Sequence, residues 1–148
     1  LKCRYSYCKY GGEVLKDEAV KEGSCYYHKN CLEEKTIKQQ IEEYYSANMP
    51  STTLQILRKV IKQLVHEKNI PANYVLFVLK YIHINNKPIN NPFGLVNYCS
   101  DYKLKNEYLH KTATNKYKDM KDNIINNIDD KEIKFTYNFG ESKWLKIL

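Results

Sequence analysis

At 148 residues and a formal net charge of +7, the chain suits one domain, or two small ones of which one needs a staple. A hydrophobic fraction of 43 % supplies a packed core, and no run of about 18 apolar residues is present, which excludes a membrane-spanning helix. The first residues lack the charged-then-apolar layout of a signal peptide, so the expected location is cytoplasmic, in the reducing interior of a bacterial or host cell. There, clustered Cys and His favour metal over disulfides.

In chain order, the first 31 residues carry four of the five cysteines, and Gly11, Gly12 and Gly23 act as turn formers between short segments. A Cys-bearing knuckle comes first, followed by a β-hairpin that turns near Glu22-Gly23. Asn30 can cap a helix, with Glu33 three residues on as its capping-box partner, and Ile37, Ile41, Tyr44 and Tyr45 recur along it at helical spacing. Asn48 and Pro50 end it. Ser51 can cap a second helix, whose Leu54, Leu57, Val60, Ile61, Leu64 and Val65 share one face. "NIPANY" breaks that helix, and Pro71 suits the first turn of a third, over 72–84, which is apolar nearly all round and is the expected buried centre. After the turn-rich "NNKPINNP", a short fourth helix takes in "FGLVNYCS". A longer polar helix runs from about 102 to 126, with Leu104, Tyr108, Tyr117 and Met120 loosely on one side. The tail alternates Ile133, Phe135, Tyr137 and Phe139, a strand signature, and ends in an apolar plug centred on Trp144. An exposed aromatic strand is an aggregation hazard, so the tail is expected to dock on the chain's own body. Left exposed, Trp144 would instead be a protein-binding anchor.

The charge is segregated. Residues 1–48 are neutral overall, 49–118 carry a net +8, and 119–148 a net −1. Arg occurs only at positions 4 and 58, while Lys, Asn, Ile and Tyr are frequent; these share A/T-rich codons, so part of the basicity reports genome composition. Arg58, Lys59 and Lys62 on one helix, with Lys103, Lys105, Lys111, Lys116 and Lys118 on another, are the candidate nucleic-acid-binding residues. Tyr102, Tyr108 and Tyr117 interleave with the second set and can stack on exposed bases. Lys makes point-charge contacts to phosphate, and the scarcity of Arg argues against bidentate reading of guanine, so binding is expected to be weakly sequence-specific. The plainer reading is a solvated helix face.

The strongest motif is in "KCRYSYCK" and "SCYYHKNC". Cys3-x4-Cys8 and His28-x2-Cys31 are two short-range pairs of the kind that close a tetrahedral Zn²⁺ site, here Cys₃His. Cys25 is an alternative ligand, because Cys25-x2-His28 is also a usable pair. Along a strand, however, Cys25 and His28 fall on opposite faces. "YHKNC", an aromatic-His-x-x-Cys step entering a helix, resembles the LIM-like and treble-clef zinc modules, in which a knuckle and a helix N-terminus sandwich a hairpin. The resemblance covers residues 3–31 only, and four residues separate Cys3 from Cys8 where two are usual. It implies a structural zinc: four protein ligands fill the shell, and the second His of a treble-clef nuclease is missing near His28.

His66, His83 and His110 are isolated from one another in sequence; His83 reads as a hydrogen-bonded core or boundary residue, and Cys99 as a small core residue. No Walker loop, dinucleotide turn or nucleophile elbow is present. The expected fold is therefore mainly α with a small zinc-bound β-hairpin module at the N-terminus, an α+β arrangement. Residues 1–48 form the zinc-binding hairpin plus helix, and 49–148 a helical body with a C-terminal strand or tail. The expected function is that of a non-enzymatic nucleic-acid-associated accessory protein, phage-like by composition. The alternative is a protein-binding adaptor or inhibitor of phage or mobile-element origin, acting for example on a host defence nuclease.

Overall fold

The computed structural model describes residues 1–128, and the chain divides into two units, Leu1–Leu109 and His110–Leu148. It is mainly helical with one small antiparallel hairpin. The elements run β1 (Ala19–Glu22), β2 (Cys25–His28), α1 (Lys29–Asn48), α2 (Leu54–Lys62), a π-helical turn (Gln63–Glu67), α3 (Ala72–Ile84), α4 (Gly94–Cys99) and α5 (Tyr102–Ile128). The strand expected over 133–139 and Trp144 lie outside the described residues.

In the hairpin, Ala19 pairs with His28, Val20 with Tyr27, Lys21 with Tyr26 and Glu22 with Cys25. Gly23 takes the first central turn position at φ +60°, where a side chain would be strained. Ahead of the hairpin the chain folds back on itself, pairing Lys2 with Glu13 and Cys3 with Tyr26. Cys3, Val14, Tyr27 and Cys31 are the buried centre of this small layer, with Tyr5 and Leu32 packed against it. Those four side chains are too few to balance the entropy of ordering some thirty residues, which at about 1–2 kcal/mol each demands an additional tie.

The larger core lies among the helices. Ile41 and Tyr45 of α1 meet Leu57, Val60 and Ile61 of α2, Leu64 and Val65 of the π turn, and Val75, Val78, Leu79 and Ile82 of α3, with Leu95 and Cys99 of α4 closing it. The apolar run of α3 places it at the centre, over the span its sequence predicts. Cys99 is a buried core residue, as its setting suggests.

Two helix starts differ from their sequence signals. α1 begins at Lys29 with His28 in the N-cap position, and Asn30 instead donates to the Tyr10 hydroxyl at 2.9 Å. α2 begins at Leu54, after Thr53 rather than Ser51, without a side-chain cap. Ahead of the later helices, Asn91 Oδ1 accepts from the Phe93 amide at 3.0 Å, and Asp101 Oδ1 from the Lys103 amide at 2.8 Å. On α5, Leu104 is buried, whereas Tyr117 and Met120 of the second unit are exposed. Among the described residues no helix is long and apolar enough to cross a membrane.

Tyr45 is 1 % exposed, and its hydroxyl has no hydrogen-bond partner among the described residues. Removing an orphaned buried hydroxyl removes a desolvation cost of about 1–3 kcal/mol. Tyr45→Phe should therefore leave stability unchanged or raise it in chemical denaturation, while Leu79→Ala should cost about 2–5 kcal/mol.

Candidate metal centre

Four short pieces of the chain deliver the candidate ligands. The arm holding Cys3 is fixed from both sides, its amide donating to Gly12 O at 2.8 Å and the Arg4 amide to Tyr26 O at 3.0 Å. Cys8 ends a tight turn closed by its amide to Tyr5 O at 3.1 Å, and Gly11 and Gly12, at φ +74° and +81°, then reverse the chain. His28 terminates β2, and Cys31 enters the first turn of α1. One donor atom each from Cys3, Cys8, His28 and Cys31 lie within 4.8 Å of one another, an arrangement that could hold a metal ion.

The imidazole is oriented for that role. His28 Nδ1 faces the sulfurs, 3.4 Å from Cys8 Sγ and 3.8 Å from Cys31 Sγ. Its other nitrogen, Nε2, lies 2.9 Å from the Glu13 carbonyl oxygen, which can only accept. Nε2 therefore carries the proton and Nδ1 presents its lone pair to the sulfurs, the tautomer a metal ligand needs. Cys25 is not part of the group; its sulfur lies beside Ser24 Oγ at 3.9 Å.

The thiols differ. At Cys8, burial opposes ionisation, but the amides of Tyr10 and Gly12 and the thiols of Cys31 and Cys3 outweigh it and bring the thiol down to about 7. Burial, then the Cys8 and Cys3 sulfurs, pushes Cys31 up to about 12. Crowded sulfurs resist simultaneous ionisation unless a cation sits among them, which is how soft-donor sites couple folding to metal.

A second constellation, unforeseen in the sequence, ties this centre to the helices. Tyr5 and Tyr7 lie between the two cysteines of the first pair. The Tyr7 ring stacks on His66 at 3.8 Å and 11°, and Tyr5 donates to Glu34 Oε1 at 2.6 Å. Lys38 Nζ lies 3.1 Å from His66 Nε2 and 4.5 Å above the Tyr7 ring. Burial lowers the Lys38 pKa, against the pull of Glu34 and Glu42. Burial, then the Lys38 charge, lowers that of His66, so a neutral imidazole accepts from the ammonium. Glu34 and Lys38 stand at i, i+4 on α1, but nothing local in the sequence pairs them with Tyr5 and Tyr7.

The remaining candidates are dispersed. Arg58 is committed to Glu42, its Nε and Nη2 donating to the carboxylate at 3.0–3.2 Å. Lys59 and Lys62 are exposed on α2; Lys103 and Lys105 are exposed in the first unit, and Lys111, Lys116 and Lys118 in the second. The Tyr44 hydroxyl lies 2.7 Å from His83 Nδ1, in keeping with a hydrogen-bonded boundary residue. Compared with known proteins, the chain matches no family model, no curated protein and no solved structure.

Titration with cobalt(II), read by its thiolate charge-transfer absorption, should show one equivalent bound by the native chain and by Cys25→Ser. Cys31→Ser and His28→Ala should bind at least tenfold more weakly. A larger loss at Cys25 than at Cys31 would overturn this ligand set.

The Tyr7–His66 contact should show a coupling of about 0.5–1.5 kcal/mol in a double-mutant cycle with Ala at each position, measured at pH 8. The folded state favours neutral His66, whose pKa lies below the ordinary 6.5. That contribution is present above pH 6.5 and is lost as pH falls below it. The coupling measured at pH 5 should be smaller.

Proposed function

We propose that Cys3, Cys8, His28 and Cys31 hold one structural Zn²⁺ in a LIM-like or treble-clef module, and that the protein is a non-enzymatic nucleic-acid-associated accessory protein. Three thiolates and one imidazole match the preference of zinc for soft N/S donors and tetrahedral closure. Four protein ligands leave no open position, and three thiolates around Zn²⁺ leave a net charge of −1, a poor Lewis acid. The metal thus folds the module and does no chemistry.

The observation that carries the nucleic-acid reading is charge exposure. Every lysine between residues 49 and 118 is exposed, in a stretch of net charge +8, and Tyr102 beside Lys103 is exposed as well. Ammonium groups in water contact phosphate without reading bases, so the expected ligand is a nucleic-acid backbone of any sequence, with tyrosines stacking where bases are unpaired.

One feature favours the adaptor alternative. In the second unit Tyr117, Met120 and Ile124 recur at i, i+3 and i+7 on α5, with exposures of 71 %, 64 % and 58 %. A stripe of that spacing is how a helix meets a groove on a protein partner.

Fluorescence anisotropy with labelled single strands of unrelated sequence separates the two. Nucleic-acid binding should weaken steeply with salt, and replacing Lys103, Lys105 and Lys111 together by Gln should lower affinity for all sequences alike. The same variant should flatten the slope of log affinity against log salt by up to about 2. Absence of binding at low salt would sink this reading and leave the adaptor.

A further inference from the structure

A cavity of about 390 Å³ opens within the first unit, away from the metal centre. Its walls come from the loop after the π turn (Lys68, Ile70), α3 (Tyr74), the end of α4 (Cys99) and the start of α5 (Lys105, Tyr108). The volume falls in the range of small-molecule sites, roughly 300–1,000 Å³.

Its chemistry is lopsided. The lining holds two lysines and no carboxylate, and both ammonium groups belong to exposed residues. Tyr74 is 4 % exposed, yet its hydroxyl has no hydrogen-bond partner among the described residues. A buried phenol left without a partner costs free energy that an incoming acceptor would recover. Burial, then Cys99 and Asp101, pushes the Tyr74 phenol up to about 12, so it remains an O–H donor at neutral pH. The Cys99 thiol is pushed up to about 12 by burial, which makes it an apolar wall rather than a nucleophile.

The aromatic side chains supply the rest. Tyr74 and Tyr108 meet at 5.2 Å between ring centroids, and Phe77 packs on Tyr108 at 5.3 Å and on Tyr74 at 6.3 Å. Asn69, at φ +53°, bends the loop that carries Lys68 at the rim, a conformation Asn tolerates better than most residues. Its neighbour Ile70 is anchored by its amide, which donates to Leu64 O at 3.0 Å. The frame is held by the core.

We infer that this cavity is a binding site for a small aromatic molecule carrying one anionic group, with the ring against Tyr74, Tyr108 and Ile70 and the anion taken by the Tyr74 hydroxyl, Lys68 and Lys105. The site is separate from the metal centre, and Lys105 at its rim is shared with the lysines proposed to contact nucleic acid.

The test compares 2-naphthoate with its neutral analogue 2-naphthylmethanol by calorimetry on the full chain, without nucleic acid. Naphthoate should bind roughly tenfold or more tightly than the alcohol, the worth of one charge-assisted hydrogen bond. Tyr74→Phe keeps the ring and removes the donor, and should cost naphthoate roughly tenfold while thermal stability holds or rises. Lys68→Met with Lys105→Met, both at exposed positions, should abolish the preference for the anion and leave the alcohol bound as before. Equal affinity for acid and alcohol in the native chain would overturn the proposal. So would naphthoate affinity unchanged in both variants, or no binding of either compound at millimolar concentration.

Discussion

The N-terminal third depends on the meeting of four soft donors. Cys3 arrives on an arm bridged to β2, Cys8 on a glycine-reversed turn, His28 at the strand end and Cys31 on the first helical turn. Without a cation a sulfur such as Cys31, in a buried setting beside two others, resists ionisation and stays a neutral thiol, which draws no other donor to it. With one, the same crowding becomes the adhesive that a layer of four buried side chains otherwise lacks. The Glu13 carbonyl and the amides near Cys8 show the surrounding backbone to be arranged around the donors as well.

The consequences run into the helical core through one contact chain. Tyr7 lies inside the first ligand pair and stacks on His66, and His66 lies in the π turn that continues α2. Leu64 and Val65 of that turn are core residues, so the ring sits one step from the packed centre. π turns commonly mark places where function or strain outweighs regularity. Here the turn joins the loop between Cys3 and Cys8 to a body with its own apolar core. Lys38 and Glu34, both on α1, complete the joint, and α1 itself runs from Cys31 into that core at Ile41 and Tyr45.

Much of this was legible in the sequence, and what was not has identifiable causes. The apolar run after Pro71 marks α3 as the buried helix, because a helix apolar nearly all round belongs inside a core. That Cys3, Cys8, His28 and Cys31 would meet was readable from spacing, since two positions on a strand-to-helix step and two on a knuckle leave little freedom. The Tyr5–Glu34 and Tyr7–His66 contacts were not, because they join residues 29 and 59 positions apart without a local pattern. The start of α1 was placed too late because a good capping side chain, Asn30, drew the boundary, while the helix starts where His28 leaves the strand. The π turn over Gln63–Glu67 was not legible, since no residue pattern in that stretch marks it. The dispersed lysines, finally, carry their charge legibly, but charge alone names a chemistry of partner and not the partner itself.

On the proposed zinc reading, a bound metal orders the N-terminal layer while the helical core stands on its own apolar packing. Residue-resolved hydrogen exchange on the metal-loaded protein, repeated after exhaustive chelation, tests it most directly. The amides of Cys3, Val14 and Tyr27 should lose their protection on chelation while those of Val75, Val78 and Ile82 keep theirs. Undiminished protection of the N-terminal amides in demonstrably metal-free protein would contradict it.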